Sequence, residues 1–478
     1  MRTVWGKKAV CATLVAFAAL VWMPAAFADS AQYLGEDGQM YTQENAAPVQ
    51  QGDTIWGTAG GETWYVANGT VTIENRVKVT GDVHLILANS AALTVNGGIE
   101  VGEGNSFTVY AQSTEESEMG SLTATARKKG DGAGIGGNNA PLGEDSRYTG
   151  AGGTAGSITI HGGKVTATGA EGSAGIGGGT GTVAVYGGTV TATGGTAAES
   201  AYYGGAGIGT GGFQESDIIE LTVTLAGGQV TATGGAGTVA CGAGIGIGGG
   251  NYGDVRFTLT ISDGVVVATG GAGAEEGGAG TEKGGAGIGT GGESRAGSVN
   301  FTATLSGGQV TATGGTGTEA GGAGIGAGGT STRCDISIAA TLSGGQVTAT
   351  GGAGTEAGGA GIGAGGTSTQ CDISVAAALS GGQVIAQGGS GTSTGAGVDS
   401  SLIISPAAGW NIEAKAGENE AAAKALSGSP FAPGTQTDVT AQVQDKAYFA
   451  TKAQKLPDKE KPAQNTGGTQ KQNPKTGV

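Results

Sequence analysis

The stretch "GGAGIGAGGTSTRCDISIAATLSGGQVTATGG", Gly321 to Gly352, returns 37 residues later as "GGAGIGAGGTSTQCDISVAAALSGGQVIAQGG". Self-similarity at such a period marks solenoids, propellers or arrays, in which one repeat cannot bury its apolar face alone. The apolar residues of each copy fall in short islets divided by glycine. With 105 glycines in 478 residues, the chain is either a flexible low-complexity tract or a periodic structure needing glycine at fixed places. A disordered tract has no reason to keep Val, Ala and Ile in place while the loops between them change length, so the periodic reading stands.

Working outward, the period is plainest where glycine is scarce. "TVTI" (Thr70 to Ile73), "VKV" (Val77 to Val79) and "HLIL" (His84 to Leu87) are followed, 22 or 23 residues on, by "LTV" (Leu93 to Val95), "IEV" (Ile99 to Val101) and "FTVY" (Phe107 to Tyr110). Short β-branched runs punctuated by "NG", "GD" and "GG" read as strands and turns. Three strands per period make a coil with three faces. In "VTAT" the valine and alanine share one face and the threonines the other. In "GAGIG" the alanine and isoleucine face together, with the glycines opposite. One inward column is therefore expected through Ile135, Ile176, Ile208, Ile245, Ile288, Ile325 and Ile362, ending at Val398. Parallel strands joined by such crossovers are right-handed. The fold class expected is all-β, a right-handed parallel β-helix of about ten coils over residues 69–410, with a core on the order of 50 Å long.

The ends differ from the middle. Residues 1–28 read as an export signal: Arg2, Lys7 and Lys8, the apolar "AVCATLVAFAALVWM", then "AFA" as an A-x-A cleavage site. Losing those three cations takes the formal net charge from −16 to −19. Such acidity argues against nucleic acid and anionic membrane as partners. No later run could span a bilayer. Residues 29–68, with Trp56, Trp64 and Tyr65, are expected to cap the first coil, and 411–451 the last, with Trp410, Phe431 and Phe449 as lids, because open solenoid ends expose unpaired strand edges. Residues 452–478 are rich in lysine, proline and glutamine and read as a flexible stalk.

That stalk carries "NPKTG" (Asn473 to Gly477), similar to the sortase sorting signal of Gram-positive cell-wall proteins, with asparagine in place of the usual leucine. The resemblance implies cleavage after Thr476 and attachment to peptidoglycan. In that family the signal continues into a hydrophobic segment and a basic tail, beyond Val478 of this sequence. The words "GAGIGG" and "GGxVTATGG", from about Trp64 to Ala450, resemble glycine-rich surface proteins of Gram-positive bacteria and carbohydrate-binding-like β-helix domains of secreted proteins. The resemblance implies a secreted, extracellular protein, attached to the cell wall where the sorting signal works.

Outward threonines form the most regular surface feature: Thr123/Thr125, Thr166/Thr168, Thr191/Thr193, Thr231/Thr233, Thr311/Thr313 and Thr348/Thr350, interrupted by Val267 and ended by Ile385 and Gln387. A flat T-x-T array suits a polysaccharide or host-cell glycan, and it is similar to the face of ice-binding solenoids; threonine's β propensity alone would also select it. Tyr186, Tyr202, Tyr203, Phe213 and Tyr252 are the aromatics best placed to stack on sugars. His84 and His161 are expected on separate faces, so no nucleophile, base and acid can be read from them. The expectation is a non-enzymatic adhesion or polysaccharide-binding protein without a cofactor; the alternative is a polysaccharide lyase or hydrolase whose carboxylate pair comes from distant coils.

Glu282, Glu319 and Glu356 recur six residues before the column isoleucine, and stacked carboxylates repel unless splayed or bridged, which makes Ca²⁺ their alternative to plain solvation. A second acidic series is Asp254, Asp335 and Asp372. Cys334 and Cys371 hold the same place in neighbouring units, where a stacking distance of about 4.8 Å lies within disulfide range, so a bond between them is expected; Cys241 has no counterpart.

Overall fold

The computed structural model describes residues 29–127, 130–138, 153–197, 202–214, 218–251, 253–273, 283–294, 298–332, 335–369, 372–426 and 430–457. Residues 1–28, Tyr252, Glu282, Cys334, Cys371 and residues 458–478, with Thr476, lie outside the described residues, whereas residues 452–455, expected to open a flexible stalk, continue the strand Tyr448–Lys455. Short strands follow one another along the chain and pair mostly in parallel with strands one repeat away, giving a parallel β-helix-like solenoid.

Three ladders run along it. The first is a column of very short strands, two-residue Ile-Gly from Ile135 to Ile362: Ile99 pairs with Ile135, then Ile176, Ile208, Ile245, Ile288, Ile325, Ile362 and Val398 follow in register. Each of these side chains is at most 1% exposed. The second ladder carries the larger core residues. Phe257 pairs with Phe301 there, and their rings stack at 5.0 Å. The third ladder holds the V-T-A-T strands, from Thr70–Ile73 to Gln383–Gln387. Its valines and alanines are buried, as alternation requires.

The early spacings are 22, 22 and 24. Val71 pairs with Leu93 and Val77 with Ile99, but Val83 pairs with Phe107 and His84 with Thr108. A register shorter by one would turn Phe107 outward, because a one-residue slip exchanges the faces of a strand. Burial of Val83, Leu85 and Leu87 opposite Phe107, Val109 and Ala111 decides the matter.

The glycines of "GAGIG" do not face solvent; they too are buried. Gly326 shows why no other residue fits. Its φ is +143°, and a Cβ there would sit inside the carbonyl oxygen of Gly363 in the next repeat. Glycine pairs elsewhere let backbones pass in contact. Gly395 donates to Gly389, Gly389 to Gly359, Gly359 to Gly352, Gly352 to Gly322, Gly322 to Gly315 and Gly315 to Gly285, at 2.7–3.0 Å. The relay continues through Gly271, Gly242, Gly235, Gly205 and Gly195 to Ser173. A backbone hydrogen-bond path thus climbs the solenoid where side chains would keep the strands apart.

Loops beyond these glycine pairs stack on one another as well. Bridges link Tyr203, Ala240, Lys283, Ala320, Ala357 and Ser393, and a small parallel ladder from Phe213–Gln214 to Thr367–Thr369 lies beside them. In this lobe Lys283 Nζ meets Glu293 Oε1 at 2.6 Å, with both side chains buried. Cys241, also in the lobe, is fully buried.

Antiparallel elements close both ends. Asp29–Leu34 pairs antiparallel with Met40–Pro48, whose last residues, Ala47 and Pro48, already pair in parallel with Tyr65 and Val66 of Ile55–Ala67. At the other end Tyr448–Lys455 pairs antiparallel with Gln383–Gln387 and with Trp410–Gly417, covering the third ladder's last edge. Phe449 and Phe431 are buried there, whereas Trp410 is 37% exposed and is no lid. Trp56 is fully buried against Phe107 and Tyr65, but Trp64 stands outside that core.

Candidate functional site

The expected threonines fall into register. Thr166, Thr191 and Thr231 form one outward column and Thr168, Thr193 and Thr233 the next. The columns extend to Thr123 and Thr125 before them, and to Thr311, Thr313, Thr348 and Thr350 beyond. Val267 interrupts only one column, since Thr269 keeps the other. Ile385 and Gln387 end the series and pair antiparallel with Ala450 and Tyr448.

A second hydroxyl panel stands on the neighbouring ladder. Thr222 and Thr224 align with Thr258 and Thr260, then with Thr302 and Thr304. Its signal was present in "LTVTL", "FTLTI" and "FTATL", the same alternation with larger inward residues.

The aromatic groups are arranged differently from expectation. Trp64, His84, Tyr110, His161 and Tyr186 stack into one column on the outside of the second ladder. Centroids are 4.2 Å apart for Trp64 and His84, 5.9 Å for His84 and Tyr110, 5.0 Å for Tyr110 and His161, and 5.1 Å for His161 and Tyr186. The histidines therefore share a face, with a tyrosine between them. The cause is register: Val109, Ile160 and Val185 pair in succession, so the residues that follow them, Tyr110, His161 and Tyr186, lie one above another. Tyr33, from the N-terminal hairpin, closes against Trp64 and Tyr110.

Carboxylates border this column. Glu62 accepts from Trp64 Nε1 at 2.8 Å, Asp82 lies 3.3 Å from His84 Nε2, and Glu36 lies 3.5 Å from His161 Nε2. Both Nδ1 atoms are buried without a hydrogen-bond partner among the described residues. Burial holds His161 below the usual imidazole range, outweighing the attraction of Glu36, and His84 depresses it further. Burial first, then neighbouring negative charge and Tyr33, pushes the Tyr110 hydroxyl up to about 12. Tyr186 is 48% exposed, and beside it a cleft of about 480 Å³ opens between the hairpin turn and the start of the threonine strands. Another cleft, of about 570 Å³, lies at the C-terminal cap, where Lys415 Nζ sits 5.5 Å from the Tyr448 ring centre.

Other expected residues are placed as follows. Tyr203 is 4% exposed and Tyr202 packs on it at 6.1 Å, so this pair belongs to the loop lobe and Tyr203 offers no open ring. Glu319 and Glu356 are neighbours in stacked loops, with Glu356 N donating to Glu319 O at 3.1 Å. Asp335 pairs with Asp372, and Asp254 accepts from Ser298 N in the same column. Among the described residues no group of three His, Cys, Asp or Glu is gathered to hold a metal ion. The register holds on both sides of Cys334 and Cys371, at Thr332 with Thr369 and at Asp335 with Asp372. No described helix is long and apolar enough to cross a membrane. No family model, curated protein or solved structure matches the chain.

Proposed function

We propose that the chain is a non-enzymatic, exported cell-surface protein that binds polysaccharide through its repetitive outer face. In this reading the solenoid is right-handed, has about ten coils, and presents a rigid rod for adhesion. The carrying observation is the register of the threonine columns, which repeats one pair of hydroxyls at every strand spacing. A polymer laid along such a face meets many weak, equivalent contacts, and their sum holds it although each alone does not. The stacked rings ending at Tyr186 supply the flat apolar contact that hydroxyls lack.

The test uses the variant Thr166→Val, Thr191→Val, Thr231→Val, which removes hydroxyls and keeps β-branched shape. The wild type should be retained by insoluble polysaccharides and by a glycan array without degrading them, and the variant should bind about tenfold more weakly or worse. Equal retention of the two proteins rules out the threonine face. Release of sugars in the same assay would instead identify a lyase or hydrolase, and shaping of ice crystals would move the face to ice.

A further inference from the structure

The cleft beside Tyr186 has a chemical bias of its own. Its lining includes Glu36 and Glu116 and, among the described residues, no lysine or arginine. It also includes His161, whose side chain is 4% exposed and whose Nδ1 is buried without a hydrogen-bond partner among the described residues. Tyr186 offers a half-exposed ring in the same cleft. Carboxylates beside an open π face make a site for an organic cation, because the ring's negative face and the anions attract the same charge. The position narrows the cation further. Thr189, which opens one threonine strand, and Gln229, its partner in the next repeat, line the cleft, so it gives directly onto the hydroxyl face.

We propose that this cleft binds the ammonium group of an amino sugar, so that the polysaccharide held by the protein is one carrying free amines. The sugar ring lies on Tyr186, its ammonium group meets Glu36 and Glu116, and the rest of the polymer runs on along the threonine columns. This deepens the polysaccharide reading and rests on it. A lysine-rich peptide would satisfy the carboxylates equally, but it has no pyranose ring to lay on Tyr186 and no row of hydroxyls to match the threonines.

The experiment is calorimetric titration of the intact protein, at mildly acidic pH, with β-linked glucosamine oligomers, with N-acetylglucosamine oligomers of the same length, and with trilysine. The free-amine oligomer should bind, and the acetylated one at least about tenfold more weakly, the scale of one lost charge-assisted contact. Glu36→Gln, Glu116→Gln should weaken the amine oligomer by a similar factor, as should Tyr186→Ala, with unchanged circular dichroism; added salt should weaken it further. Equal binding of acetylated and free-amine oligomers overturns the proposal, as does trilysine binding as tightly as the sugar, or indifference to both variants. Retention of neutral polysaccharide lost in the threonine variant is a separate readout. An intact threonine effect with no amine preference defeats only the cleft, and no polysaccharide binding at all defeats the broader reading.

Discussion

At the scale of single residues, glycine does two different jobs, and they separate experimentally. Gly38, in the N-terminal turn, has φ +72° with nothing near a would-be Cβ. Gly326 has φ +143° and a neighbour's carbonyl in the way. Gly38→Ala should therefore cost about 1–2 kcal/mol, the strain of a left-handed alanine. Gly326→Ala should cost at least about 4 kcal/mol, since backbone must also move. Urea unfolding of the two variants checks the order, and near-equal losses would contradict the account of the ladder. That glycine was essential is visible in the repeat words. That it lies buried, rather than on the open side of a strand, is not, because alternation alone cannot tell which surfaces a second layer of loops will cover.

At the scale of elements, the threonine strands were fully legible and the aromatic column was not. V-T-A-T alternates strictly, so inward and outward positions follow from the strand period. Tyr110, His161 and Tyr186 each stand at or beyond a strand's last paired residues, separated in sequence by loops of unequal length. Only the register of the preceding strands reveals that they stack. The column has a consequence for pH. His161 is packed between Tyr110 and Tyr186, faces Glu36, and feels His84; burial keeps it neutral below the point where an unfolded histidine gains its proton. Its depressed folded value means that the unfolded state binds more protons just below pH 6.5. Stability should then fall as pH drops through 6.5, until the folded protein is protonated too. His161→Phe keeps the stacking and removes the titration. Melting temperature measured against pH should decline less steeply for the variant across that window, and parallel curves would show that His161 is not the group responsible.

At the scale of the molecule, the antiparallel ends stop what the parallel ladders would otherwise continue. The strand Tyr448–Lys455 lies across Gln383–Gln387, and its removal would bare a row of unpaired backbone groups. A chain ending before Trp410 should therefore self-associate, and size-exclusion chromatography should show concentration-dependent oligomers where the untruncated chain gives one species. A truncated chain that stays monomeric would show that the cap is dispensable. The solenoid class was readable because its inward residues keep their places; the loop lobe with its buried Lys283–Glu293 pair was not, since no periodic signal marks either residue.

The register over the last repeats carries a genetic consequence. Ile325 pairs with Ile362, Gln309 with Gln346, Asp335 with Asp372, Thr330 with Thr367 and Ala320 with Ala357, an offset of 37 residues in every wall. A duplication or deletion of one such segment, as slippage between near-identical DNA copies produces, would add or remove a whole storey and reproduce every contact. The length of the solenoid could thus vary from lineage to lineage by recombination alone, with its repeating outer surface unchanged.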